Sequence, residues 1–98
     1  MCENEREILE KAKGGDIESF EQLVEQYQKR VFNIALRMIG NYDDAAELAQ
    51  EVFIRVYKSI KNFKGESLFS TWVYRITTNV CLDELRKRRN RILCPAKS

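Results

Sequence analysis

The sequence predicts an all-α fold, an antiparallel bundle of three main helices with a short helix at its N-terminal end. Through most of the 98 residues, apolar side chains recur at steps of three and four, which is the period of a helix. Pro95 is the sole proline, so no ring interrupts a helix before the last few residues. The connections between periodic segments are short, and short connections make consecutive helices antiparallel.

The first two predicted helices are separated by a glycine pair. Residues 3–13 form the first, Gly14 and Gly15 end it, and Asp16 caps the second. Gly40 and Asn41 end the second helix. Its predicted inner face is a continuous stripe, which Leu23, Phe32, Leu36 and Ile39 widen: Ile17, Phe20, Val24, Tyr27, Val31, Ile34 and Met38.

The third and fourth helices flank a loop at residues 61–66. The third begins near Asp43 or Asp44, whose carboxylates suit the positive end of a helix dipole. Ser67 or Ser70 caps the fourth, which reaches to about residue 91. The third helix faces inward with Ala45, Leu48, Ala49, Val52, Phe53, Val56 and Ile60, and the fourth with Phe69, Trp72, Val73, Ile76, Val80 and, at its far end, Leu85.

Length and composition exclude several classes of protein. The chain suffices for one domain with one modest core. It contains no apolar run long enough to span a membrane and no signal peptide, so we expect a cytoplasmic protein without membrane insertion. Cys2, Cys81 and Cys94 are far apart and there is no histidine, so we expect no disulfide, metal or cofactor, with Cys81 in the core. No nucleophile has an evident partner, so an enzyme is not expected.

The charge is distributed unevenly along the chain. Residues 1–52 carry a balance of −6 and residues 53–98 a balance of +8. This asymmetry indicates two different partners, one of them polyanionic. A solvated basic tail explains it equally well, because residues 86–91 alone supply five positive charges.

The segment of residues 44–53 carries a polar face beyond its helical pattern. Glu47, Gln50 and Glu51 share one side of the helix, Leu48 lies beside them, and Arg55 follows one turn later. Such a face can receive a basic partner helix through charge-assisted hydrogen bonds. The alternative is a solvated face with a Glu51–Arg55 pair worth about 0.3–0.5 kcal/mol.

The segment of residues 62–79 places a loop with Phe63, Lys64 and Gly65 before a helix N-terminus, which offers free N–H groups to phosphate. Aromatic, basic and small polar groups together are typical of single-strand binding. The alternative is that Phe63 and Phe69 form a lid of the core. The polar and basic residues of this segment, with one further along the helix, are Ser67, Ser70, Thr71, Arg75, Thr78, Asn79 and Arg86.

Both segments resemble motifs of extracytoplasmic-function sigma factors. The first is similar to D-A-E-D-L-x-Q-E-V-F and the second to F-R-G-E-S-x-F-x-T-W-L-Y-R-I-x-x-N, in the expected order and spacing. The resemblance covers residues 8–91. Mild departures are Ala46 in place of an acid, Glu47 in place of Asp, Lys64 in place of Arg and Val73 in place of Leu.

The resemblance implies a sigma region 2 domain over residues 1–91, the start of a linker at 92–98, and a missing second domain for the −35 element. It implies a non-enzymatic initiation factor that binds core RNA polymerase and captures the non-template strand of the promoter −10 element. An anti-sigma factor that covers one or both surfaces is also implied.

Site residues are carried over from the resemblance in two groups. The residues that would contact a coiled coil of the polymerase β′ subunit are Asp44, Glu47, Leu48, Gln50, Glu51 and Arg55. A flipped base would be held by the loop of residues 62–70, chiefly by backbone N–H groups, Ser67 and Phe63. The full DNA-binding set would be Lys58, Lys61, Asn62, Phe63, Lys64, Gly65, Ser67, Ser70, Thr71, Arg75, Thr78, Asn79, Arg86, Arg88 and Arg89.

Two other functions compete with this interpretation. A helical DNA-binding regulator that acts without polymerase needs a compact helix-turn-helix with an exposed recognition helix, and no such pair is evident. A pure interaction module would show only a salt-sensitive background of nucleic-acid binding.

Overall fold

The computed structural model describes the backbone of residues 5–93 and the side chains of residues 5–89. Its elements are α1 (Glu5–Lys13), α2 (Ile17–Ile39), α3 (Tyr42–Ser59), a single 3₁₀ turn (Ile60–Asn62) and α4 (Phe69–Leu93). Helix α2 packs against each of the other three helices, and α3 also packs against α4. The predicted helical bundle with a short N-terminal helix is confirmed. The predicted start of α1 at residue 3 lies outside the described residues.

The helix ends follow the local chemistry of their caps. Asp16 has extended backbone geometry and accepts a hydrogen bond from the Ser19 N–H at 3.2 Å, as a capping residue does. Gly40 ends α2 with φ of 80°, and its N–H donates to the Leu36 carbonyl at 2.8 Å. Both predicted caps are confirmed. Helix α3 begins at Tyr42, slightly earlier than predicted, because Asn41 caps it by accepting from the Asp44 N–H at 2.9 Å.

Replacing Asn41 with alanine is expected to lower the free energy of unfolding by about 1 kcal/mol, because an N–H at the start of α3 loses its partner. Urea denaturation followed by circular dichroism measures the loss. Asn41→Asp, which keeps the acceptor, is the control and should remain close to the original protein. Equal stability of all three proteins would show that the cap contributes nothing.

The buried face of α2 differs from the predicted stripe. The buried residues follow a single line at intervals of four, whereas Ile17 is 53% exposed and Phe20 and Val24 are half-buried. The physical reason is that α2 contacts three helices, so a broad arc of its surface is apolar. The packing of those helices, and not the apolar pattern alone, decides which part of this arc is most deeply buried. Burial of Ser19 is tolerated because its hydroxyl donates to the Asp16 carboxylate. The buried line comprises Ser19, Leu23, Tyr27, Val31 and Ala35.

The core contains one large and one small cluster of buried side chains. The large one joins all four helices and the 3₁₀ turn, and includes Val52, Val56 and Ile60 as predicted. The small one lies where Ala35, Ala45 and Cys81 meet without any exposed surface. Burial raises the pKa of the Cys81 thiol, as expected for a structural cysteine. Its predicted place in the core is confirmed.

Helix α4 begins without the predicted serine cap. Leu68 precedes its first residue, Ser70 lies in its first turn, and the Ser67 hydroxyl donates to the Leu68 carbonyl at 3.3 Å. The cap prediction is therefore wrong, because leucine has no side-chain acceptor. The helix also runs two residues past the predicted end, to Leu93.

The inner face of α4 includes a polar residue that the apolar pattern missed. Thr77 is fully buried, and its hydroxyl donates to the Val73 carbonyl at 2.8 Å, so this buried hydroxyl has a hydrogen-bond partner. Phe69, Val73 and Val80 are buried as predicted, whereas Trp72, Ile76 and Leu85 are half-buried. Within residues 5–93, no helix combines the length and the apolar character needed to cross a membrane.

Candidate functional site

The predicted polar face of α3 divides into two flanks. On the flank toward α4, the Asp44 carboxylate accepts from Arg88 at 2.7 Å. On the same flank, Arg55 lies 3.3 Å from Glu51 and 4.0 Å from Asp83. These side chains are partly exposed, so the pairs add little to stability, but they hold the charged groups in position.

The outer flank of α3 carries the groups that remain open to a partner. Glu47 and Gln50 are exposed, whereas Leu48 is half-buried and packs against both core clusters. The structure thus brings five of the six predicted side chains to the surface and places much of Leu48 in the core. Glu47, Gln50 and Arg55 are the exposed members of the set, and Arg55 is paired with Glu51.

A groove between α2 and α3 runs beside this outer flank. Its volume is about 860 Å³. Gln50 stands on its α3 side, and Ile54, 49% exposed, continues its apolar surface. Residues with apolar side chains form most of the lining, with polar groups from α2 among them: Val24, Glu25, Gln28, Lys29, Phe32, Ala46, Ala49, Gln50, Phe53 and Ile54.

The apolar surface extends along α2 toward its N-terminal end. Ile17, Phe20 and Val24 form a second hollow with Tyr57, which is 51% exposed and packs edge-on against Phe20 at 5.0 Å between centroids. Sequence reasoning assigned most of these α2 side chains to the core and did not consider Tyr57. The sequence did contain an indication of this apolar surface, because Ile54 and Tyr57 lie outside the predicted inner face of α3.

A second cleft lies between α1 and the loop that precedes α4. It has a volume of about 600 Å³, within the range of sites that hold small organic groups. Lys64, Gly65 and Ser67 line it as predicted for the loop, and Gly65 has a φ of 77°, which favours glycine. Sequence reasoning missed the opposite wall, which is contributed by α1: Glu5, Arg6, Leu9, Glu10 and Lys13.

Phe63 lies in the core and not in the open part of the cleft. Its side chain is only 7% exposed, and its ring centroid lies 5.5 Å from that of Phe69 and 5.1 Å from that of Trp72. Phe63 lines the cleft, but a ring enclosed in this way offers little exposed area on which a base could stack. Its burial favours the alternative of an aromatic core lid, and the role of Phe63 in holding a base stays a prediction.

An exposed stripe runs along the outer side of α4. Thr71, Arg75, Asn79, Arg86 and Arg89 are all exposed, at separations that place them on one face of the helix. Leu82, 38% exposed, interrupts the polar character of this face. Thr78 lies at its edge and is half-buried, with its hydroxyl donating to the Tyr74 carbonyl at 2.9 Å. Basic and amide groups of the segment thus share one exposed face of α4.

The predicted basic residues differ in their availability. Arg88 lies outside the stripe, and the hydrogen bonds that its guanidinium donates to Glu84 and then to Asp44 raise its pKa. Because both carboxylates accept from it, Arg88 is less available to a phosphate than the exposed Arg86 and Arg89, and its place in the DNA-binding set stays a prediction. Arg86 keeps an exposed side chain although it lies 3.2 Å from Asp83.

Of the remaining predicted DNA-binding residues, some line the cleft and others do not. Lys58, Lys61 and Asn62 are exposed at the end of α3 and in the 3₁₀ turn, outside the residues that line the cleft. Ser67 and Ser70 are half-buried. A cleft at the N-terminal end of α4 and a basic stripe along it thus form one candidate nucleic-acid surface.

Helix α1, which forms the second wall of the cleft, is hydrogen-bonded to α2 through Tyr27. The Tyr27 hydroxyl donates to Glu5 Oε2 at 2.7 Å. Burial first, and then the hydrogen bond to Glu5, raise the pKa of Tyr27 well above its ordinary value of 10.0.

The stability of the domain is expected to depend on this tyrosine at alkaline pH. Because the folded pKa is raised, the contribution of Tyr27 is complete below pH 10 and declines as the pH rises above that value. Urea denaturation at pH 9 and pH 11 should show a smaller loss in Tyr27→Phe than in the unmodified domain. Equal losses would mean that Tyr27 titrates alike in the folded and unfolded states.

Comparison with known proteins identifies relatives of this chain. The sigma-70 region 2 family model matches residues 23–91. The ECF RNA polymerase sigma factor SigW of Bacillus subtilis is 40% identical over 81 residues, which are 83% of this chain and 43% of the relative. The RNA polymerase sigma-H factor of Pseudomonas aeruginosa is 35% identical over 89 residues, which are 91% of this chain and 46% of the relative. The chain thus spans less than half the length of these relatives.

A solved structure has the same architecture. An engineered region 2 of sigmaE, determined by NMR in complex with GTAAAA, is 31% identical with a TM-score of 0.84. The match covers 93% of this chain and 97% of that one. The sequence motifs, the helical bundle and these matches agree, and the chain belongs to the sigma-70 region 2 family, among the ECF RNA polymerase sigma factors.

Proposed function

We propose that this domain binds core RNA polymerase through α2 and α3 and captures the separated non-template strand of the promoter −10 element with α4 and the preceding loop. The observation that carries the proposal is the position of the 600 Å³ cleft at the N-terminal end of the exposed α4 stripe. The stripe is exposed and ends at the cleft, so a single strand bound along the stripe can also reach the cleft.

The cleft provides what a flipped base requires. Loop residues and the first turn of α4 surround a space large enough for a base, and a helix N-terminus presents N–H groups without intrahelical partners. Removing a base from its stack costs a few kcal/mol, which contacts in such a pocket offset. The related sigmaE domain was solved in complex with GTAAAA, which supports a −10 strand as the ligand here.

The stripe supplies contacts of two kinds. Arg75, Arg86 and Arg89 neutralise phosphates, and this contribution is independent of sequence. Asn79 carries an amide that both donates and accepts, so it can read the edge of a base. We therefore assign sequence recognition to Asn79 and the cleft.

The polymerase-binding surface is proposed from the groove and its rim. The apolar lining accepts the side chains of a helix, and Glu47 and Gln50 pair with polar or basic groups beside it. A coiled coil of the β′ subunit, implied by the family resemblance, is the proposed occupant. An anti-sigma factor would act by covering this groove or the α4 stripe.

In this mechanism the domain performs no covalent chemistry. Binding of the separated strand lowers the free energy of melted DNA, and the α2–α3 surface holds that strand at the polymerase. RNA synthesis belongs to the polymerase.

The test compares Asn79→Ala with Asn33→Ala, a matched control on the exposed outer side of α2. Fluorescence anisotropy measures the affinity of labelled GTAAAA for each domain bound to core polymerase. Loss of a bidentate base contact should weaken binding roughly fivefold to a hundredfold in Asn79→Ala alone. Equal binding of duplex and single strand without polymerase would instead favour a helical DNA-binding regulator.

A further inference from the structure

We propose that α1 forms the second wall of the nucleotide pocket and that Lys13 is the positioning residue that holds the capture loop against it. The inference rests on the proposed function, because it concerns the pocket that would receive the flipped base. Lys13 was not among the predicted site residues.

The tether joins two segments that are distant in the sequence. Lys13 Nζ donates to the Phe63 carbonyl at 2.8 Å, between residues 50 positions apart. The same ammonium lies 6.0 Å from the centroid of the Phe63 ring. Lys13 is half-buried, and it lines the cleft together with Phe63. One side chain therefore connects the last turn of α1 to the first residue of the loop.

The carbonyl contact controls the loop in a way that ring packing does not. Residues 63–68 form no helix or strand, so their path depends on how the two ends are held. Packing on Phe69 and Trp72 fixes the ring of Phe63. The hydrogen bond fixes its carbonyl, and because the peptide unit is planar, it also fixes the direction of the Lys64 N–H. The tether thus orients a backbone donor of the loop.

The wall to which the loop is tied is itself firmly attached. Ile8, Leu9 and Ala12 are buried in the large core cluster, and Glu5 accepts from Tyr27. Helix α1 also packs against the 3₁₀ turn. Since α1 is held by α2, the Lys13 contact transfers this rigidity to the loop across the cleft.

The chemistry of the α1 wall favours a base over a phosphate. Its cleft-facing charges are mixed, with Glu5 and Glu10 beside Arg6 and Lys13. A purely basic wall would attract the backbone, whereas a mixed wall offers acceptors and donors to the edge of a base. Lys13 already donates to a carbonyl, so its proposed role is to hold the loop and not to neutralise a phosphate.

The first test examines the loop without DNA. Lys13→Met keeps the length of the side chain and removes the donor, and Lys11→Met removes the same charge from an exposed position of the same helix. Hydrogen exchange of the amides of residues 64–68 should become at least threefold faster in Lys13→Met and stay unchanged in Lys11→Met. Lys13→Arg, which retains a donor, should restore part of the protection. Unchanged exchange in Lys13→Met would overturn the inference and leave the proposed function intact.

The second test measures capture of the base. Each polymerase-bound variant is titrated with GTAAAA and with six versions that each lack one base. Lys13→Met should bind GTAAAA threefold to tenfold more weakly. In the unmodified domain, removal of one particular base should reduce the affinity most, and in Lys13→Met removal of that same base should cause a smaller loss. Its affinity for polymerase should not change.

Salt dependence separates positioning from direct phosphate contact. The slope of log affinity against log salt should be the same in Lys13→Met and in the unmodified domain. A slope reduced by about 0.7 would identify Lys13 as a phosphate ligand and overturn the positioning role. If the unmodified domain on polymerase fails to bind any single-stranded −10 sequence, the proposed function fails, while the exchange measurement still decides the tether.

Discussion

Replacing Glu47 and Gln50 together with arginine is expected to lower the affinity of the domain for core RNA polymerase at least tenfold. Both side chains are exposed on the outer flank of α3, and Gln50 lines the groove proposed to receive a polymerase helix. The acidic rim is proposed to meet a basic partner surface, so the substitutions place two positive charges against other positive charges. Like charges brought together at an interface cost several kcal/mol. Titration of labelled domain with core polymerase measures the change.

The matched control is Glu18→Arg with Gln22→Arg. These residues are exposed on α2, do not line the groove, and give the same change in net charge. Leu48 is a poor choice for this experiment, because it packs against both core clusters and its truncation would also reduce stability. If both double variants bind polymerase as the unmodified domain does, the α3 rim is not the polymerase surface.

The helices and most of their caps could be predicted because they depend on neighbours in the sequence. Asp16 bonds an N–H three residues away, and Gly40 adopts a left-handed geometry that its lack of a Cβ allows. The α4 stripe was predictable for the same reason, since Arg75 and Asn79 lie one turn apart wherever the helix packs. Local rules fail at Leu68, where a helix begins without a side-chain cap.

The groove and the α1 wall could not be predicted from local patterns. An apolar residue on a helix is compatible with the core and with an apolar groove, and the packing of α2 against α3 decides which. Val24 and Phe32 line the groove although the pattern placed them inside. Lys13 and Phe63 are 50 positions apart in the sequence, and they meet only because α1 packs beside the 3₁₀ turn.

The basic run shows the same limit for charged groups. Residues 86–89 are chemically similar, yet Arg88 turns toward Asp44 and Glu84 while Arg86 and Arg89 stay exposed. Periodicity places Arg88 on a different side of α4 from the stripe, but it does not reveal that Asp44 lies opposite. Composition therefore predicts that this surface is positively charged, but it does not show which of the basic side chains are paired with carboxylates of the same domain.

The aromatic residue of the loop gives the sharpest stability prediction. Phe63→Ala is expected to lower the free energy of unfolding by about 3–5 kcal/mol, because a buried ring in contact with Phe69 and Trp72 leaves a cavity. That is a large part of the about 5–15 kcal/mol that stabilises a typical domain. Thermal and urea denaturation measure the loss, which should be much smaller in Phe63→Leu.

The leucine variant also decides whether Phe63 stacks on DNA. Stacking of a base on an aromatic ring is worth about 1–3 kcal/mol, so its loss would weaken binding of GTAAAA fivefold or more. Because the ring is enclosed, we expect the affinity of Phe63→Leu on polymerase to stay within about threefold, as in the control Phe20→Leu, which lies away from the cleft. A larger loss of DNA affinity with stability close to that of the control would show that Phe63 leaves the core to meet the base. The predicted pattern, lost stability in the alanine variant with retained capture in the leucine variant, assigns the ring to holding the loop and leaves the base to the backbone, Ser67 and the α1 wall.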